Sequence, residues 1–130
     1  MIKRFAVCVF LDDNKNFLLQ DRTGISKNGE EWALFGGYLE GDETATQGLA
    51  RELKEELGLE NVFVTQITHV LTDSLEGFGF VADMPHLDTL TVYEGAGFRV
   101  FSEDELDSLH MYDAHKRIIR AAIAHSNQTT

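Results

Sequence analysis

Three glutamates, Glu52, Glu55 and Glu56, lie close together in the stretch RELKEELGL, with Arg51 directly before them and Gly36 and Gly37 a short way upstream. On a helix turning about 100° per residue, the i, i+3, i+4 spacing makes the three carboxylates mutual neighbours. Two unit charges about 5 Å apart repel by roughly 3 kcal/mol at an effective dielectric of about 20, and by well under ~1 kcal/mol when fully solvated. An ordinary solvated helix face answers an acid with a base four residues on, yet Glu52 is followed at that position by Glu56. Arg51 and Lys54 are expected on another face, which leaves the repulsion without a local answer and makes a divalent cation the natural partner. An all-oxygen carboxylate site suits Mg²⁺, with Mn²⁺ as a substitute. Gly36 and Gly37 add backbone that can approach an anion or a metal without obstruction from a Cβ.

The elements that must position these groups follow from local signals. Thr44 and Gln47 form a capping box and Gly58 is a left-handed stop, which predicts a helix over 44–57. Leu49, Ala50, Leu53 and Leu57 fall on its buried face, and the three glutamates lie along the edge of that stripe. An ion pair between Glu43 and Arg51 would tie the preceding loop to the helix. Strands are expected over 2–11, 17–22 and 32–35, the first two as a hairpin and the third leading into Gly36-Gly37, then over 62–71, 77–82, 89–94 and 97–101. Ser102 and Glu105 predict a short capped helix. Asp113 is expected to cap a last helix that buries Ile118, Ile119, Ala122 and Ile123.

The segment resembles the Nudix box, G-x5-E-x7-R-E-U-x-E-E-x-G-U with U aliphatic. It matches at Gly37, Glu43, Arg51, Glu52, Leu53, Glu55, Glu56, Gly58 and Leu59. From composition alone such a match has a chance probability on the order of 10⁻⁹. FLLQDR and EEWALFGGYLEGDET also resemble the family's strands leading into the box, so the motif-level likeness covers 17–59. The resemblance implies an α/β/α sandwich, a mixed sheet flanked by helices, and Mg²⁺-dependent hydrolysis of a diphosphate bond in a nucleotide. By position it implies Glu52, Glu55 and Arg51 as catalytic residues. The implied metal ligands are Glu52, Glu55, Glu56 and the Gly36 carbonyl, with Gly37, Glu43 and Gly58 as structural support. Several members recruit a further acid from beyond the box; the candidate is Glu94 in VYEGAG, with Glu76 and Asp73 behind it. Arg22 and Tyr38 are the candidates for substrate contact, Trp32 is expected in the core, and Phe35 stands where many members have proline.

Composition sets the outer bounds. The chain of 130 residues is 43% hydrophobic and 10% aromatic, as expected of a single folded domain over 1–130 with a frayed polar tail at 126–130. A net charge of −11 argues against nucleic-acid polymers and anionic membranes as partners. It remains compatible with a small phosphorylated substrate, since cations neutralise both sides. A single cysteine, Cys8, and the lack of a cleavable leader or an apolar span point to a cytoplasmic protein. The five histidines lack metal-ligand spacing and read as surface residues. The small single domain favours a nucleoside triphosphate pyrophosphohydrolase. The alternatives are an ADP-ribose or nucleotide-sugar hydrolase and a dinucleoside polyphosphate hydrolase, although the residues by which family members often mark ADP-ribose and dinucleoside polyphosphate substrates are absent at 72–75. From another class, a non-catalytic nucleotide-binding regulatory module is disfavoured by the intact box. Members of the family are often homodimers.

Overall fold

The computed structural model describes residues 2–93 and 95–128. At its centre is β1 (Lys3–Leu11), whose side chains alternate between two cores. Ala6, Cys8 and Phe10 pack with Leu49, Leu53 and Leu57 of helix α1 (Ala45–Leu57), while Val7, Val9 and Leu11 pack with Ile118, Ile119, Ala122 and Ile123 of helix α2 (Asp113–Gln128). Period-2 alternation on a strand buried on both faces thus produces the α/β/α sandwich. Burial pushes the Cys8 thiol pKa far up, so Cys8 acts as a small apolar residue.

Among the described residues the sheet has seven strands and is mixed. In addition to β1 it contains β2 (Phe17–Asp21), β3 (Trp32–Ala33), β4 (Phe35–Tyr38), β5 (Thr65–Leu71), β6 (Leu75–Asp83) and β7 (Gly97–Phe101). β6 runs parallel to β1 along its whole length, and β5 is antiparallel to β6. The expected β1–β2 hairpin is paired only at Leu11 and Phe17. Beyond that point β4 takes the edge of β1 at Phe5 to Cys8, and β2 turns to β7 and β3.

Three expectations change. Gly36 and Gly37 lie within strand β4, paired with Val7 and Ala6, instead of in a loop. The strand expected over 32–35 breaks at Leu34, whose N–H donates to His115 Nδ1 at 3.2 Å. The strand expected over 89–94 does not form in its described part. A 3-10 turn occupies Leu87–Thr89, and the N–H groups of Thr91 and Tyr93 bond the carbonyls of Leu57 and Glu56, each at 3.2 Å. The unsatisfied carbonyls at the end of α1 draw this backbone away from any sheet. Glu94 lies outside the described residues.

Both ends of α1 follow the sequence: Thr44 and Gln47 make the reciprocal capping box, and Gly58 adopts a left-handed φ of 70°. Helix α2 begins at Asp113, which lies in its first turn, and continues through Ser126, Asn127 and Gln128 of the tail expected to fray. The Ser102–Glu105 capping box opens a 3-10 helix, Glu103–Ser108. Among the described residues no helix is long and apolar enough to cross a membrane.

Candidate active site

Helix α1 packs its apolar stripe against the sheet beside β4, which brings its glutamate edge against the two glycines. Glu56 is drawn farthest in and is only 3% exposed. Its Oε1 accepts the N–H of Gly36 at 2.8 Å, and its Oε2 lies 3.5 Å from Gln20 Nε2, the amide donating. Glu52 lies one turn earlier against Gly37, where a Cβ would stand 2.7 Å from Glu52 Oε1. Glycine at 37 therefore leaves room for a carboxylate, and glycine at 36 supplies a backbone donor to one.

Arg51 organises the solvent side. Its Nε donates to Glu43 Oε2 at 2.8 Å and Nη2 to Glu43 Oε1 at 3.0 Å, a forked pair that ties the loop to the helix. Nη2 also donates to the Tyr38 carbonyl at 3.1 Å. Nη1 donates to Glu52 Oε1 and Glu55 Oε2, each at 3.1 Å. This corrects the expectation that Arg51 faces elsewhere and that the repulsion has no local answer. The overlooked spacing is Arg51 to Glu55, i to i+4, which a long side chain spans easily. Hydrogen bonds from Arg51 first, and from the Glu40 N–H next, hold the Glu43 pKa at about 2. The same bond to Glu43 raises the pKa of Arg51, with burial opposing and Glu52 adding to the rise.

Among the described residues, no three His, Cys, Asp or Glu side chains form a group that could by itself hold a metal ion. The donor set suits a different arrangement. Mg²⁺ is usually bound through one or two carboxylates, with water and substrate phosphate completing its shell. Glu52 and Glu56, one helical turn apart beside backbone stripped of Cβ atoms, match that chemistry, and the space at Gly37 is the observation that supports the fit.

The remaining candidates are dispersed. Tyr38 is 58% exposed, with Lys3 Nζ 5.5 Å from its ring centre. Arg22 turns toward the interior, donating to Gln20 Oε1 at 3.0 Å and to the Ile25 carbonyl at 3.5 Å, with Nε 3.6 Å from Glu30 Oε1. Glu76 is engaged by Arg4 at 2.9 Å and His69 at 2.8 Å. Trp32 is partly buried, edge-on to Phe101 at 4.7 Å.

Sequence reasoning missed Gln20, Glu30 and His115. Burial, with the Arg22 charge adding to it, lowers the pKa of His115 to about 4, so its neutral ring accepts from Leu34; this corrects the surface reading. For Glu30, burial works against the charge but is outweighed by hydrogen bonds from its own N–H, the Asn28 N–H, the Ser26 hydroxyl and the Lys27 N–H, for a pKa of about 2. For Gln20 a signal existed: in FLLQD the alternation places an amide on the same face as buried Leu18, where a polar group needs a partner.

Comparison with known proteins agrees with this geometry. A family model described as the NUDIX domain matches residues 2–121. The chain therefore belongs to the NUDIX family. An 8-oxo-dGTP diphosphatase of Proteus vulgaris is 41% identical over 63 residues, covering 48% of this chain and 54% of that protein. A CTP pyrophosphohydrolase of Escherichia coli K12 is 39% identical over 55 residues, covering 42% and 41%. The nucleoside triphosphatase NudI of Escherichia coli O139:H28 is 37% identical over 71 residues, covering 52% and 48%. The chain thus spans about half the length of the curated relatives it matches. Among solved structures, a MutT from a study of Aliivibrio salmonicida and Vibrio cholerae superposes with a TM-score of 0.77 at 21% identity, over 96% of this chain and 99% of that one. The NUDIX domain of Shewanella oneidensis NrtR, complexed with ADP ribose, gives 0.72 at 18% identity, over 96% and 87%. These two likenesses establish the fold.

Proposed function

We propose that this chain hydrolyses a diphosphate bond in a nucleoside triphosphate or a derivative of one, with a divalent cation as cofactor. The observation that carries the reading is the convergence of Glu52 and Glu56 on Gly37 and Gly36, with Arg51 fixing Glu52 and Glu55. The local likeness to triphosphate-cleaving relatives favours a triphosphate over an ADP-ribose, nucleotide-sugar or dinucleoside polyphosphate substrate.

In this reading Glu52 and Glu56, with Glu55 and the Gly36 carbonyl beside them, hold Mg²⁺ or Mn²⁺. The cation would supply charge neutralisation at the phosphate oxygens. Arg51 keeps Glu52 and Glu55 from repelling each other and orients both. A half-exposed carboxylate such as Glu55 can take up a proton from an attacking water and release it to solvent. Glu94 is the further acid proposed from beyond the box.

Turnover on a panel of nucleoside triphosphates, ADP-ribose, nucleotide sugars and dinucleoside polyphosphates, with Mg²⁺, Mn²⁺ or chelator, tests this directly. Chelator-sensitive release of product from triphosphates is expected. Silence across the panel with nucleotide binding retained would favour a regulatory module. Glu55→Gln and Glu56→Gln should each lower turnover by at least ~100-fold with the fold intact. Full activity in both would defeat the site assignment.

A further inference from the structure

A chain of polar side chains crosses the interior from the loop after β2 to helix α1. Gln20 is 1% exposed, and on β2 it shares a face with buried Leu18, toward the α1 layer. A buried amide left without partners loses its hydration with nothing in return, so a glutamine in this position has to be matched on both sides. The structure provides the match. Arg22 Nη1 donates to Gln20 Oε1 at 3.0 Å, and Gln20 Nε2 donates to Glu56 Oε2 at 3.5 Å. Since arginine only donates and a carboxylate only accepts, these two neighbours fix which end of the amide faces which. Arg22 is steadied in turn by the Ile25 carbonyl at 3.5 Å and by Glu30, 3.6 Å from its Nε and ionised in the fold.

We infer that Gln20 is a positioning residue for Glu56, and that Arg22, backed by Glu30, sets the orientation of Gln20. The inference rests on the proposed role of Glu56 as a cation-holding residue. Gly36 fixes one oxygen of that carboxylate through the sheet, and Gln20 fixes the other through the relay. Because an ionised carboxylate accepts at about four lone-pair positions, both oxygens can be held in this way and still face a cation. Arg22 therefore acts on the site from within, through an amide, and not by touching substrate.

The test is Mn²⁺ binding to the full chain without nucleotide, followed by electron paramagnetic resonance, alongside kcat and KM. Gln20→Met keeps the length and removes the hydrogen bonds to Arg22 and Glu56; it should weaken Mn²⁺ binding about 10-fold and lower kcat, with nucleotide KM unchanged. Arg22→Met, which leaves the buried amide in place, should move the same readouts in the same direction. The double variant should be no worse than Gln20→Met, because both act through one contact. Mn²⁺ affinity within about twofold of the native value in folded Gln20→Met would overturn the relay. A rise in KM alone in Arg22→Met would overturn it as well, by making Arg22 a substrate contact. Absence of Mn²⁺ binding by the native chain would instead sink the reading of the site on which the relay rests.

Discussion

Glu55 and Glu56 are adjacent in sequence, and the molecule grips them in different ways. The Glu55 side chain is 51% exposed, and its carboxylate meets a guanidinium from its own helix at 3.1 Å. Glu56 is 3% exposed and meets a backbone N–H of β4 at 2.8 Å and the amide of Gln20 on β2 at 3.5 Å. The outer carboxylate is held by a flexible side chain that also serves Glu43 and Glu52, so it can shift by a rotamer change without disturbing the fold. The inner one is tied to two strands of the sheet, so a rotamer change would break contacts to both. Under the proposed function, such a site would keep one fixed carboxylate beside others free to adjust during a reaction.

The sharpest way to break the inner half is at Gly36. A Cβ there would stand 2.1 Å from the Ala6 carbonyl oxygen and 2.7 Å from Val7 Cα, both backbone atoms of β1, and φ is +134°. Neither strand can yield without losing its register, so Gly36→Ala should cost about 4 kcal/mol or more, beyond the usual range for a point change. Chemical denaturation measures it; a loss below ~1 kcal/mol would mean that β4 is not pinned to β1 as described.

The outer half breaks at Arg51 with a smaller effect on stability. Arg51→Met removes the guanidinium shared by Glu43, Glu52 and Glu55, and turnover should fall by at least ~10-fold, as for loss of an outer partner of a ligating carboxylate. A pH signature accompanies this. In the folded state the Glu43 pKa drops from 4.5 to about 2, chiefly through Arg51. Between those values the unfolded chain takes up a proton that the folded chain refuses, so stability present above pH 4.5 is lost as pH falls toward 2. Acid unfolding of Arg51→Met should show a shallower loss across this window than the native protein. An unchanged acid profile would assign the low pKa to the Glu40 N–H and not to Arg51.

How much of this was legible in the sequence follows the same division. The outer half is local: Arg51, Glu52 and Glu55 lie within one helical turn, and the caps at Thr44 and Gly58 are written in adjacent residues. Even there, testing only the acid-to-base direction from Glu52 hid the Arg51–Glu55 pair. The inner half depends on contacts across the chain, since Gly36 and Gln20 reach Glu56 over separations of 20 and 36 residues. Register decides those contacts, and alternation alone does not determine register. His115 was invisible for a similar reason, because its partner is the N–H of Leu34 in a break between two strands. The region 89–94 read as strand because its β-propensity is real, yet the unfilled carbonyls at the end of α1 hold Thr91 and Tyr93 instead.

The smallest effect on the fold, and the finest test of the division, comes from Gly37, next to the position where the largest is expected. The three atoms nearest its extra Cβ all belong to one side chain: Glu52 Oε1 at 2.7 Å, Cδ at 2.9 Å and Oε2 at 3.2 Å, the far end of a glutamate and not backbone. Glu52 can swing aside, so Gly37→Ala should cost less than ~1 kcal/mol in denaturation, several-fold below Gly36→Ala. Moving Glu52 also carries it away from Glu56, and turnover should fall by roughly 10-fold or more despite the intact fold. Two adjacent glycines would then separate cleanly, one lost through the sheet and the other through the carboxylate. Equal stability losses at both positions would erase the distinction between a half of the site fixed by strands and a half left to side chains.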